Sequence, residues 1–409
     1  MDSYPVAPTL APASPRILSV DALRGFDMFW IIGGAPFVAS ILQFCGPKAQ
    51  HYLLPQLDHV EWEGFYFFDL IFPLFAFMVG MSVVFSLGKI VAQRGAGAAY
   101  GRLIRRSLVL FLFGIFYYGG LSHRWPDIRL LGVLQRLALV YLFTGIVFIH
   151  FRRCGTLVVL VALLLGYWAF LSFVRVPGVE NPTPASRYAE GTNWTNYIDS
   201  QYLPGRKWDG KWDPEGLLST LPAIGTGLLG LLAGLLLKNT ATSPGKKFAW
   251  LIGGGLLCLL LGYGWGGQLA ALITKYSGYQ LPTAERYGYP FPVIKKIWTS
   301  SYVLVAGGYS YLLMGIFYLV IDIWKLRGWA SPFVWIGTNA ITLYMAWNIL
   351  DFRRLTARLV DGDLQAAIQK ALGDSYGPEV SHLLFATVVV ALVLLLARFL
   401  HRRNIFLRV

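Results

Sequence analysis

The chain has 409 residues, 56% hydrophobic, 15% aromatic and only 14% charged, with a mean hydropathy of +0.55. A soluble domain of that size needs more charge to cover its surface, so the composition excludes a soluble globular protein and indicates a multispanning membrane protein. The net charge of +14 comes from basic residues in short loops between apolar runs, which is a topology signal and gives no reason to expect a nucleic-acid partner.

The N-terminal stretch MDSYPVAPTLAPASPR is rich in Pro and Ala and has no charged region ahead of an apolar core. It reads as a disordered cytoplasmic tail over residues 1–15 and not as a cleaved signal peptide. Residues 16–409 read as one membrane domain, an all-α polytopic helix bundle. Apolar segments long enough to span recur at about 22–44, 64–88, 104–121, 129–149, 155–175, 215–237, 248–272, 299–323, 332–352 and 379–400, about ten in all. The basic loops around Lys89 to Arg106, at Arg152 and Arg153, at Lys238 to Lys247, and at Lys325 and Arg327 alternate with longer, less basic ones. The positive-inside pattern puts them in the cytoplasm together with both termini. Loops near 45–63, 176–214, 273–298 and 353–378 are then external. An integral, multi-pass location in a lipid bilayer follows.

Ionisable residues inside apolar spans are costly and mark function by default. In chain order the first is SVDALRGFD, where Arg24 lies between Asp21 and Asp27 at the start of the first span; an arginine so held can snorkel or grip a phosphate. Next comes LDHVEWEGFYFFDLIFPLFAF. Asp69 lies inside the second span just ahead of Phe72-Pro73, where the proline is expected to kink the helix. It either caps that break or binds a proton, a cation or a histidine. His59, with Trp62 and Phe65 near it, is the side chain whose pKa suits proton transfer near neutral pH. On one straight helix the two residues would stand about 15 Å apart, so they can pair only if 57–63 folds back. Gln135 and Arg136 are expected about two turns inside the fourth span. Asp213-Pro214-Glu215 reads as a capped helix start. Lys295 and Lys296 lie on the external side against the charge trend, suited to an anionic acceptor or to a structural ion pair. Asn339, Thr342 and Tyr344 polarise the ninth span. Asn193-Trp194-Thr195 matches a glycosylation sequon.

Several soluble-enzyme signatures are absent: no GxxxxGK[ST] loop, no HExxH pair and no GxSxG elbow. The three cysteines, Cys45, Cys154 and Cys258, are far apart and lack metal-ligand spacing, so neither a disulfide framework nor a metal is expected. From these residues alone, a membrane enzyme and a proton-coupled transporter of a small solute or sugar stand level.

Six blocks in order, SVDALRGFDMFWIIGG, HVEWEGFYFFDLIFPLFAFMVG, GVLQRLALVYL, WDPEGLLSTLPAI, PVIKKIWTSSYVL and GTNAITLYMAW, resemble the bacterial branch of the heparan-α-glucosaminide N-acetyltransferase family, within the wider transmembrane acyltransferases. The resemblance implies acetyl-CoA as cosubstrate from the cytosol and an amino sugar or glycan acceptor on the far side. It puts the family's active-site histidine on His59 and its partner acid on Asp69. The residues expected to hold coenzyme A are Arg24, Arg105 and Arg106, with Gln135 and Arg136 along the path of its pantetheine arm. Asn339, Lys295, Lys296 and Trp62 are expected to meet the acceptor or the oxyanion. Where the family often has asparagine, this chain has Ile294. A homodimer is admitted but not required.

Overall fold

The computed structural model describes residues 17–179, 186–277 and 290–406; the tail expected over 1–15 lies outside them. In a bilayer each segment must satisfy its own backbone hydrogen bonds, so apolar runs of this length form helices. The described residues are helices and connecting segments, apart from isolated bridges at Glu63–Ile294 and Arg129–Gly205. Eight helices among them are long and apolar enough to cross a membrane: Leu18–Leu42, Phe67–Tyr117, Val133–His150, Arg153–Phe173, Thr220–Lys238, Pro244–Trp265, Ser300–Ile323 and Tyr376–Arg402.

Eight differs from the ten expected segments at two places. Segments 64–88 and 104–121 form one helical run, Ile71–Tyr117, of 47 residues. Straight, it would extend about 70 Å, more than twice a hydrocarbon core of about 30 Å. Gly95 breaks it, at φ 77° and ψ 179°, a conformation that glycine adopts without strain. A Cβ on Gly88 would touch Phe148, and Tyr100 Oη lies 2.5 Å from His150 Nε2, so both arms meet the same end of Val133–His150. The run is therefore a helical hairpin. The other difference is the segment over 332–352, which is two short helices, Ser331–Thr338 and Ala340–Ile349, interrupted at Asn339.

Close crossings hold the centre together. A Cβ on Gly80 would lie 1.8 Å from the carbonyl oxygen of Gly227, and one on Gly230 would lie 1.8 Å from that of Phe77. Hydrophobic burial gives little drive between helices in lipid, so close backbone approach through small residues supplies the attraction. Gly80→Ala is expected to push the helices apart and destabilise the bundle by about 1–3 kcal/mol, an overpacking cost. A thermal unfolding midpoint in detergent equal to that of the unaltered chain would contradict this.

Pro73 does not kink the second span. It is the third residue of the helix starting at Ile71, where its missing N–H has no partner to lose. Asn193 is fully buried and N-caps Trp194–Tyr202, accepting from Asn196 N at 2.9 Å, so the sequon is a helix cap.

Candidate active site

The segment 57–66 folds back onto the start of the second span. Gly64 N–H donates to Val293 O at 2.9 Å, and Glu63 bridges Ile294. These contacts tie the loop to the strand-like stretch that carries Lys295. Asp69 sits in the 3-10 turn Phe67–Leu70 that opens the second span, with its side chain 1% exposed. Its Oδ2 accepts from Tyr66 N at 3.0 Å and from Val60 N at 3.3 Å, which caps the helix and pins the loop. Its Oδ1 lies 2.8 Å from His59 Nδ1 and 3.3 Å from Lys295 Nζ. The cap and the histidine partner, alternatives in the sequence, are thus the two oxygens of one carboxylate.

With the proton on Nδ1, Asp69 accepts it and Nε2 keeps a lone pair, the arrangement a general base requires. His59 is half-exposed at 47%. Lys295 Nζ lies 2.8 Å from Nδ1 and 3.2 Å from Nε2, beside the ring and the carboxylate together. Burial lowers the Lys295 pKa, and Asp69 opposes that. Tyr302 Oη donates to the Asp69 carbonyl at 2.8 Å and fixes the turn from below. Asp69→Asn keeps the shape but removes the charge that balances Lys295. The expected result is a lower unfolding midpoint and an imidazole free to adopt either tautomer. Unchanged His59 nitrogen shifts by NMR would count against this role.

His59, Phe68, Lys295 and Glu215 stand at one end of a cavity of about 290 Å³, whose remaining wall is apolar and includes Met28, Ile31, Phe72, Val79, Leu134 and Tyr344. A second cavity of about 820 Å³ is lined by Arg24, Lys89, Lys238, Lys247, Lys325 and Arg327, with Asp21 and Asp322. The two share their walls. Val20 and Arg24 line the basic cavity while Met28 and Ile31 line the apolar one; Phe72, Phe75 and Val79 line the apolar cavity while Ser82 and Ser86 line the basic one. Along both helices the gap between them is one turn, about 5 Å. From Asp69 to Lys89 the rise is about 30 Å, the thickness of a hydrocarbon core.

The other expected site residues fall less neatly. Arg24 faces the basic cavity, 3.7 Å from Asp21 Oδ1, while Asp27 is fully buried with neither oxygen hydrogen-bonded. Arg105 and Arg106 are not on the basic cavity wall; Arg106 donates to Tyr141 Oη at 3.3 Å and stacks over its ring. Gln135 and Arg136 are in the first turn of a helix that begins at Val133, not two turns inside it. Both are buried: Gln135 packs on Gly114, and Arg136 bonds to Ser219 Oγ and lies over Trp298. The cavity passes Leu134 and Leu137 instead. Asn339 is buried at the helix break and is not on the cavity wall. Lys296 pairs with Asp209 at 3.4 Å beside Trp62 and Trp212, and Trp62 donates to Tyr188 O at 2.9 Å.

Three groups were not legible as site residues. Lys89, Lys238, Lys247, Lys325 and Arg327 read as topology charges, yet they converge on one cavity. Glu215 read as a helix cap, yet it faces His59's cavity. Arg129, unremarkable in sequence, bonds Asp213 through Nε at 2.9 Å and Nη2 at 2.7 Å, and reaches Glu215 at 2.6 Å. Beneath this pair, Asp199 accepts from Leu217 N at 2.8 Å; burial pushes its pKa up to about 6.

The fold and site define a polytopic α-helical membrane protein with a histidine–carboxylate pair and a lysine at one end of a cavity and a basic chamber at the other. No protein-family model matches the chain. It is 26% identical over 462 residues to the human heparan-α-glucosaminide N-acetyltransferase and 25% identical over 457 residues to the mouse protein, covering 100% and 98% of this chain. The chain is similar to these proteins along 98–100% of its own length and spans 62% of theirs.

Proposed function

We propose that the protein is a transmembrane acetyltransferase that moves an acetyl group from cytosolic acetyl-CoA to an amino sugar or other glycan on the opposite face, in a bacterial inner membrane. The observation that carries this reading is the stacking of the two cavities. A basic chamber suits a phosphorylated nucleotide, an apolar cavity suits the neutral arm and its thioester, and a base stands at the far end. The relatives, named as N-acetyltransferases, support the same chemistry.

In this reaction His59 Nε2 removes a proton from the acceptor nucleophile as it attacks the thioester carbonyl. A C–N or C–O bond forms, the carbonyl becomes an oxyanion, and the C–S bond then breaks. The proton passes from His59 to the leaving thiolate. Asp69 holds the ring and balances the imidazolium, and the Lys295 ammonium stabilises the oxyanion. Arg24 and Lys89 hold phosphate charge at the other end. Bringing both substrates into one dry cavity supplies the proximity gain.

The test is purified protein in detergent with acetyl-labelled acetyl-CoA and a panel of glucosamine-ended acceptors, following free CoA and labelled sugar. Product formation supports the reading, and failure to bind acetyl-CoA overturns it. The Arg24→Gln, Lys89→Gln double variant is expected to weaken acetyl-CoA binding about a hundredfold or more, because charge-assisted phosphate contacts contribute about 1.5–3 kcal/mol each. An unchanged dissociation constant by calorimetry would place the nucleotide elsewhere.

A further inference from the structure

The wall that carries His59 also carries a carboxylate. Glu215 follows Asp213-Pro214 at the approach to Thr220–Lys238 and faces the apolar cavity, its side chain 13% exposed. Its Oε2 accepts from Arg129 Nη2 at 2.6 Å, and its carboxyl also lies within hydrogen-bond reach of Asp213. Asp213 is saturated by contrast: it accepts from Arg129 Nε and Nη2 and from the backbone N–H groups of Trp208 and Glu215. One guanidinium serves two carboxylates, and the one with fewer N–H donors is the one on the cavity wall.

An amino sugar reaches the site largely as its ammonium ion, which has no lone pair and cannot attack a thioester. The Lys295 cation beside His59 repels such a guest, and His59 cannot both deprotonate the ammonium and take the second proton lost during attack. Resting on the acetyl-transfer reading above, we propose that Glu215 receives the acceptor's amino group as the ammonium and takes its first proton. Glu215 is thereby a second catalytic residue and a determinant of amine over hydroxyl acceptors.

The step balances. R–NH₃⁺ and the Glu215 carboxylate become R–NH₂ and the neutral acid. The amine nitrogen then bonds to the acetyl carbon, His59 takes a proton from that nitrogen, and the thiolate leaves and is protonated. Glu215 returns its proton to solvent after product departs. The charged neighbours around it are Arg129 and Arg136 from the fourth span and its approach, Asp213 on its own segment, and Lys295 across the cavity. Tyr118, Tyr302 and Tyr344 also feel its charge. Burial raises the Glu215 pKa, and the neighbouring Asp213 adds to that while Arg136 and Arg129 oppose it.

The experiment compares two acceptors of similar shape at pH 6 to 9 on the full chain in detergent. One is a glucosaminide with a basic amine, and the other is an aminooxy analogue that is neutral throughout. Glu215→Gln is expected to cut kcat/KM at least tenfold for the basic amine below the amine's own pKa, with the loss shrinking as pH rises. The aminooxy acceptor is expected to change less than threefold, with the KM for acetyl-CoA unaltered. Equal losses on both acceptors, or none on either, overturn the proposal. If Glu215→Gln fails to fold, Glu215→Asp decides: it must keep the unaltered chain's preference between the two acceptors, and losing it equally from both overturns the idea. Absence of acetyl transfer by the unaltered chain would instead overturn the underlying reading, and this inference with it.

Discussion

His59→Ala is expected to lower acetyl transfer by a factor of about 10²–10⁴, the usual contribution of a positioned general base. The binding of acetyl-CoA is expected to stay within about twofold, since Lys89 of the basic chamber lies about 30 Å along the helix from Asp69, the imidazole's partner. Calorimetry with acetyl-CoA and product counting with a glucosaminide check the two halves separately. The loss should be deeper for a hydroxyl acceptor than for a neutral amine, because an amine attacks without prior deprotonation. Product formation undiminished in His59→Ala would remove the base from this end of the cavity. Loss of acetyl-CoA binding together with turnover would instead mean that the loop 57–66 had come away from the bundle.

The largest stability effect is expected at Arg129. Its side chain is 5% exposed and its two nearest acids are buried, Asp213 completely. Arg129→Met leaves both carboxylates in a dry site with their shared counter-charge gone, a loss of about 3–5 kcal/mol. The sign of the pH dependence discriminates this from simple loss of packing. Burial by itself would raise the Asp213 pKa, but the hydrogen bonds and charge of Arg129 hold it below the usual carboxylate range. In the unaltered chain that stabilisation is present above the unfolded pKa, about 3.9, and is lost as pH falls through the folded value. In Arg129→Met the carboxyl is raised instead, so the folded state binds the proton more tightly and stability rises as pH falls. The midpoint of the variant should therefore climb between pH 7.5 and 5. A midpoint whose change between about pH 7.5 and 5 matches that of the unaltered chain would mean that Arg129 acts by packing alone.

Some of the site was legible because its signal was local. His59 and Asp69 were conspicuous as an imidazole beside acids and a carboxylate in an apolar run, and Lys295 as an external charge against the trend. Their meeting was not legible. Ten residues of separation in sequence give about 15 Å on a helix, and only the pairing of 63–64 with 293–294 folds that distance to 2.8 Å. Gln135 and Arg136 were marked two turns deep but stand buried in the first turn of their helix, and helix phase turned them away from the cavity that Leu134 and Leu137 line. Arg106 lies against Tyr141 and feels the charge of Arg24, yet neither it nor the exposed Arg105 lines the basic cavity.

What the sequence determined by itself is what hydropathy and length decide: an all-α membrane bundle, its approximate spans, and the few polar residues too costly to be incidental. These follow from segment composition against a fixed solvent thickness, and need no knowledge of neighbours. What only the tertiary structure decided is convergence. Loop lysines hundreds of residues apart become one chamber, Glu215 shares a wall with His59, and Arg129 locks two acids, because helix crossings at glycines set which faces meet. That choice depends on sub-ångström packing between distant segments, and no single segment encodes it.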